Sequence, residues 1–120
     1  MVENKLINIE TDGDIIIVSF TEPSICGPGT IEDISGQLRS LAAKKQPKKL
    51  IIDFEGVKFF SSQMLGLLVD LWRKLEEHSG KMIISGINPQ INRVFKITNL
   101  DRIFAFCPDR DSAVRSMQPD

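Results

Sequence analysis

Two adjacent hydroxyls, Ser61 and Ser62, follow the apolar run Leu50 to Phe54 and the segment Gly56 to Phe60, and precede an amphipathic stretch that opens at Met64. A serine so placed can attack a carbonyl if a histidine base lies in reach. It can also accept a phosphoryl group from a kinase, or cap a helix by accepting backbone N–H bonds. The catalytic option lacks its partners. GxSxG is missing, and the chain's one histidine, His78, ends the helix that Ser62 begins. About sixteen residues at about 1.5 Å each hold the two more than about 20 Å apart. No catalytic residue is assigned, and a small serine hydrolase using Ser62 remains only as a rival without a base. Capping is expected of at least one of the two serines.

The other reactive side chains are sparse. Cys26 and Cys107 lie far apart, with neither a CxxC nor a Cys/His cluster, so no disulfide framework and no metal site are expected. Both should be reduced and partly buried, and Cys107 has no histidine near in sequence to activate it. Gly27-Pro28-Gly29-Thr30 lacks the lysine and the length of a phosphate-binding loop and reads as loop punctuation, so no cofactor is expected. Lys44-Lys45-Gln46-Pro47-Lys48-Lys49 is basic but without interleaved aromatics, which predicts a solvated loop.

Composition bounds the partners. The 15 Lys and Arg against 16 Asp and Glu leave a formal charge of −1, too little field to collect nucleic acid or an anionic membrane. No apolar run approaches the roughly 18 residues of a membrane span, and no signal-like segment opens the chain, so a cytoplasmic location is expected. At 120 residues and 42% hydrophobic, one domain over 1–120 is predicted, with its core at about 5–117.

The elements that must position the serine pair follow from periodicity. Leu6 to Ile9 and Ile15 to Phe20 form a hairpin closed by an Asp-Gly turn, and Pro23 to Gly29 holds too many breakers for a regular element. Thr30 is expected to cap a first helix with Ile31, Ile34, Leu38, Leu41 and Ala42 inward, closing near Lys45 before Pro47. Leu50 to Phe54 is a strand covered on both faces. Met64, Leu65, Leu68, Leu71, Trp72 and Leu75 mark the buried stripe of a second helix, with Gly80 as C-cap.

Lys81 to Ser85 repeats the buried-strand pattern, and Asn88-Pro89 starts a third helix with Ile91, Val94 and Phe95 inward, stopped at Asn99. Ile103 to Phe106 is a short last strand or extended segment, Asp109 caps a terminal helix through Val114 to Met117, and Gln118 to Asp120 is tail. The order is β-β-α-β-α-β-α-β-α. This predicts an α/β domain whose mixed sheet of about four to five strands carries about four helices, on one side or split between two.

The segment Leu50-Ile-Ile-Asp-Phe-Glu-Gly-Val-Lys-Phe-Phe-Ser-Ser-Gln-Met-Leu-Gly resembles the signature of the STAS domain, the fold shared by bacterial anti-sigma factor antagonists and the cytoplasmic portion of sulphate transporters. Asp53, Val57, Phe59, Ser62, Leu65 and Gly66 match in register. Gly80 to Ile91 and Thr98 to Phe104 extend the similarity over about residues 5–117.

The resemblance implies a regulatory protein whose partner is an anti-sigma factor of the serine kinase type. Phosphorylation at Ser62, with Ser61 as second choice, would block that partner, and a serine phosphatase would reverse it. It implies a partner surface of Ser61, Ser62, Gln63, Met64, Ser24 and Thr30, the last two from the loop beside the helix start. The chain departs from the family pattern at Ser61, where Asp is usual, at Gln63, where a small residue follows, and at Met64, where glycine follows. Those departures admit a scaffold or signalling subunit that keeps the fold without the phosphate. Met64 is expected to add an apolar partner contact.

Overall fold

The first hairpin turns on Gly13, whose φ of 63° suits a residue without Cβ, and the two central residues are Gly13 and Asp14. Residues 6–118 are described in this computed structural model, and the ends of the chain, including Pro119 and Asp120, lie outside them. Strands β1 (Ile7–Asp12) and β2 (Ile15–Phe20) pair antiparallel, with Ile7 opposite Phe20 and Asp12 opposite Ile15. Then β4 (Lys49–Asp53), β6 (Lys81–Ser85) and β7 (Ala105–Cys107) add in parallel, giving the order β1-β2-β4-β6-β7. The mixed five-stranded sheet follows the expected pattern.

Side-chain alternation separates two cores. Ile16, Val18, Leu50, Ile52, Met82 and Ile84 face α1 (Pro28–Lys45), α2 (Gln63–Glu77) and α3 (Pro89–Ile97). Ile15, Ile17 and Ile51 face α4 (Arg110–Met117), which buries Ala113 and Met117. Three helices therefore cover one face and one covers the other. The central strand β4 is buried on both sides, which is why its sequence runs apolar without alternation.

Four local expectations are corrected. The first helix begins at Pro28 with Gly27 as N-cap at φ 92°, and Thr30 lies inside its first turn, because proline's fixed φ suits the first helical position. The breaker-rich loop contains a two-residue strand, β3 (Ser24–Ile25), paired in parallel with β5 (Phe59–Phe60). Val94 is exposed, since the short α3 buries only Ile91 and Phe95. Cys26 is exposed, whereas Cys107 is half-buried as expected.

The end of α2 refines a fifth. Ser79, at φ 62°, takes the left-handed position, its N–H bonding Glu76 O at 3.1 Å while Gly80 N–H bonds Leu75 O at 2.6 Å. A Cβ on Gly80 would lie 2.8 Å from both Pro47 O and Leu75 Cδ2, so close packing is what requires glycine there. The predicted caps Asn88 and Asp109 are present, accepting from Ile91 N and Ser112 N at 2.8 Å each.

Candidate functional site

The carboxyl end of β4 is where the chain leaves the sheet, and its last residue, Asp53, is a buried carboxylate, 4% exposed. Burying it unpaired would be costly. Its Oδ1 accepts from Ser85 Oγ at 3.0 Å and Glu55 N at 3.2 Å, and its Oδ2 from Arg110 Nε at 3.3 Å. Arg110 also binds Glu10, so one guanidinium ties α4 to β1 and to the end of β4. The exit geometry of the loop is set there.

Beyond Asp53 the chain turns, with Val57 N–H bonding Phe54 O at 2.9 Å, and enters β5. Phe60 turns inward onto a run of rings, 5.5 Å from Phe54 and 6.0 Å from Phe95, while Phe59 is 48% exposed. Lys58 N–H bonds Pro23 O at 2.7 Å and Ser61 N–H bonds Ile25 O at 2.9 Å. The loop before α1 is thereby fastened alongside the serine pair. From the opposite side, Asn88 donates its carboxamide to Val57 O at 3.2 Å and Lys58 O at 3.0 Å.

The two serines differ in access. Ser62 is exposed and its backbone is already helical, φ −61° and ψ −22°, so its hydroxyl makes no cap bond. Ser61 is half-buried, and its Oγ is buried without a hydrogen-bond partner. The expected side-chain cap is therefore absent from both, because a capping hydroxyl needs the extended backbone that Ser62 lacks. The first turn of α2 carries no acidic residue, leaving its N-terminal partial positive charge uncompensated there.

Ser24 and Gln63 are exposed, Thr30 is half-buried, and the β3–β5 pairing brings Ser24 opposite Phe59. Met64 is corrected. At 0% exposure it belongs to the core and presents nothing to a partner. A groove of about 490 Å³ runs between α1 and α2, lined by Ile31, Glu32, Ser35, Arg39, Gln63 and Leu67. Arg39 and Asp70 pair across the two helices at 3.1 Å.

Sequence reasoning matched Phe59 to the family signature without placing it on the surface, and it missed the Asp53–Arg110 pair altogether. The Asn-Pro signal located Asn88 as a cap, but its two donor bonds depend on a loop 30 and 31 residues away. His78 sits at the C-cap of α2, its Nε2 3.3 Å from Pro47 O. Among the described residues no group of three or more His, Cys, Asp or Glu could hold a metal ion, and no helix is long and apolar enough to cross a membrane.

The family model for the STAS domain matches residues 7–113. Among solved structures, an anti-sigma-factor antagonist (STAS) domain protein from Planctomyces limnophilus superposes with a TM-score of 0.85 at 24% identity, covering 92% of this chain and 97% of that one. An anti-sigma factor antagonist from Mycobacterium paratuberculosis gives 0.83 at 24% identity, over 94% and 93%. The Bacillus cell fate determinant SpoIIAA in its phosphorylated form gives 0.73 at 18%, over 93% and 99%. At these identities the likeness is one of fold.

Proposed function

We propose that this chain, which belongs to the STAS domain family, acts as an anti-sigma factor antagonist switched by phosphorylation of Ser62. The observation that carries the reading is the contrast within the serine pair: Ser62 is exposed at the start of α2, whereas the Ser61 hydroxyl is buried. A kinase reaches the first without opening the fold. The partner is an anti-sigma factor of the serine kinase type, and a serine phosphatase restores the binding form.

The physics favours a switch that spares the fold. A phosphate adds about −1.5 to −2 charges, and a helix N-terminus stabilises an anion by about 0.3–1 kcal/mol. With no acid in that first turn and no cap bond to break at Ser62, the added group changes the surface while the core stays packed. SpoIIAA takes the same fold in a phosphorylated form, which supports the reading. The partner surface then comprises Ser62, Gln63 and Ser24, with Thr30 and Ser61 at its margin. Exposed Phe59 extends it.

A second reading, a scaffold that binds partners without being phosphorylated, is favoured by Ser61 standing where the family has an acidic residue. Two measurements separate the readings. Intact mass and peptide mapping of protein from its native cells should find one phosphate on the peptide holding Ser62, and consistent absence favours the scaffold. In pull-downs, Ser62→Ala should retain its partner and Ser62→Asp should lose it. Equal binding by both variants would overturn the switch.

A further inference from the structure

We propose that Asn88 is a positioning residue for the serine junction, joining the start of α3 to the segment that presents Ser62. The inference rests on the reading above for its consequence, but its geometry stands independently. Toward the loop before α1 the segment from Val57 to Ser61 is held by backbone bonds, with Lys58 N–H and Ser61 N–H meeting the carbonyls of Pro23 and Ile25. On its other side a single carboxamide takes the place of a neighbouring strand, giving both N–H groups to Val57 O and Lys58 O at 3.2 and 3.0 Å.

The same side chain uses its remaining atom elsewhere. Asn88 Oδ1 accepts from Ile91 N at 2.8 Å and so caps α3. All three functions of one amide group are engaged, and only asparagine combines an acceptor of cap length with two donors on the opposite edge. Aspartate or serine would cap α3 equally well and leave the two carbonyls without a donor. The sequence Asn88-Pro89 is therefore more than a helix start.

A position held this way transmits displacement in both directions. Loss of the donor bonds frees Val57 and Lys58, and with them the exposed Phe59 and the entry into Ser61 and Ser62, while α3 keeps its cap. Conversely, a partner that pulls on the first turn of α3 moves the junction.

The test uses amide hydrogen exchange, read by NMR on the whole chain without any partner, so that its outcome is independent of whether Ser62 is phosphorylated. In Asn88→Ser the amides of Lys58, Phe59 and Ser61 should exchange about tenfold faster, the scale expected when two side-chain bonds to backbone carbonyls are lost. The amides of Ile91 and Asn92 should be unchanged. Asn88→Ala should accelerate both sets. Unchanged exchange from Lys58 to Ser61 in a folded Asn88→Ser overturns the proposal.

Should that variant fail to fold, the wild-type chain decides through scalar couplings across the hydrogen bonds from Asn88 Nδ2 to the Val57 and Lys58 carbonyl carbons. They are expected to be measurable. Their absence would also overturn the proposal.

Discussion

Ser61 donates its backbone N–H to the carbonyl of Ile25 at 2.9 Å while its own hydroxyl, a few bonds away, is buried with no partner. The backbone of this residue builds the junction and its side chain contributes nothing to it. The contrast leads directly to a first prediction. Ser61→Ala removes an unsatisfied buried hydroxyl, so stability should stay level or rise by up to about 1 kcal/mol in urea denaturation. A loss above about 1 kcal/mol would mean that the hydroxyl has a partner in solution.

Asp53 is the opposite case, a buried carboxylate with every visible need met. Asp53→Ala strands the Ser85 hydroxyl and the Glu55 amide and leaves Arg110 paired with Glu10. The expected cost is about 2–3 kcal/mol, below the figure for a fully buried pair because the Arg110 side chain is 36% exposed. Equilibrium denaturation measures it, and a change under about 0.5 kcal/mol would show that the network carries no net stability.

Glycines at two positions should respond with opposite signs. Gly66, within α2, has open space where a Cβ would stand, so Gly66→Ala should stabilise by about 0.5–1 kcal/mol through helix propensity alone. Gly80→Ala drives a methyl into the Pro47 carbonyl and Leu75 and should destabilise by about 1–3 kcal/mol. Melting temperatures of the two variants should fall on either side of the wild type. If Gly66→Ala stabilises the fold yet weakens partner capture, the exposed α2 surface belongs to the interface.

Asp109 is held below the ordinary aspartate range, chiefly by the Ser112 backbone N–H, then by the Ser112 hydroxyl, with Arg115 adding to the effect and burial opposing it. A carboxyl whose pKa is depressed by folding contributes stability above its unfolded value, and that contribution is lost as pH falls through the folded one. The first turn of α4 should therefore loosen only below the ordinary aspartate range. In Asp109→Asn, which keeps a cap acceptor, this dependence should disappear. The Ser112 amide shift followed with pH reports it, and a transition above the usual aspartate range would contradict the assignment.

Much of the frame was legible because it depends on short-range periodicity. Ile31, Ile34, Leu38, Leu41 and Ala42 are all buried as their spacing requires, and Asn88 and Asp109 cap as their side chains allow. Local chemistry misled where two local signals competed. Thr30 is a good capping residue, but Pro28 two residues earlier is a better first helical residue, and the proline decided the start. Met64 follows the serine pair and shares its neighbours in sequence, yet one residue of helix turns it from the exposed Gln63 into the core.

The amino-acid sequence by itself determined the order of the longer elements, though not the short β3 and β5, the doubly covered strand at Leu50 to Phe54, and the serine pair between a buried run and an amphipathic helix. Each of these is written in patterns only a few residues long. Only the tertiary structure decided which hydroxyl faces solvent, since the exposure of Ser62 and the burial of Ser61 depend on β5 lying against β3, more than 30 residues earlier in the chain. It also decided that Asp53 would meet Arg110, 57 residues away, and that Asn88 would hold the junction from the far side. Such contacts follow from how the sheet and its loops close in space, and no local pattern encodes them.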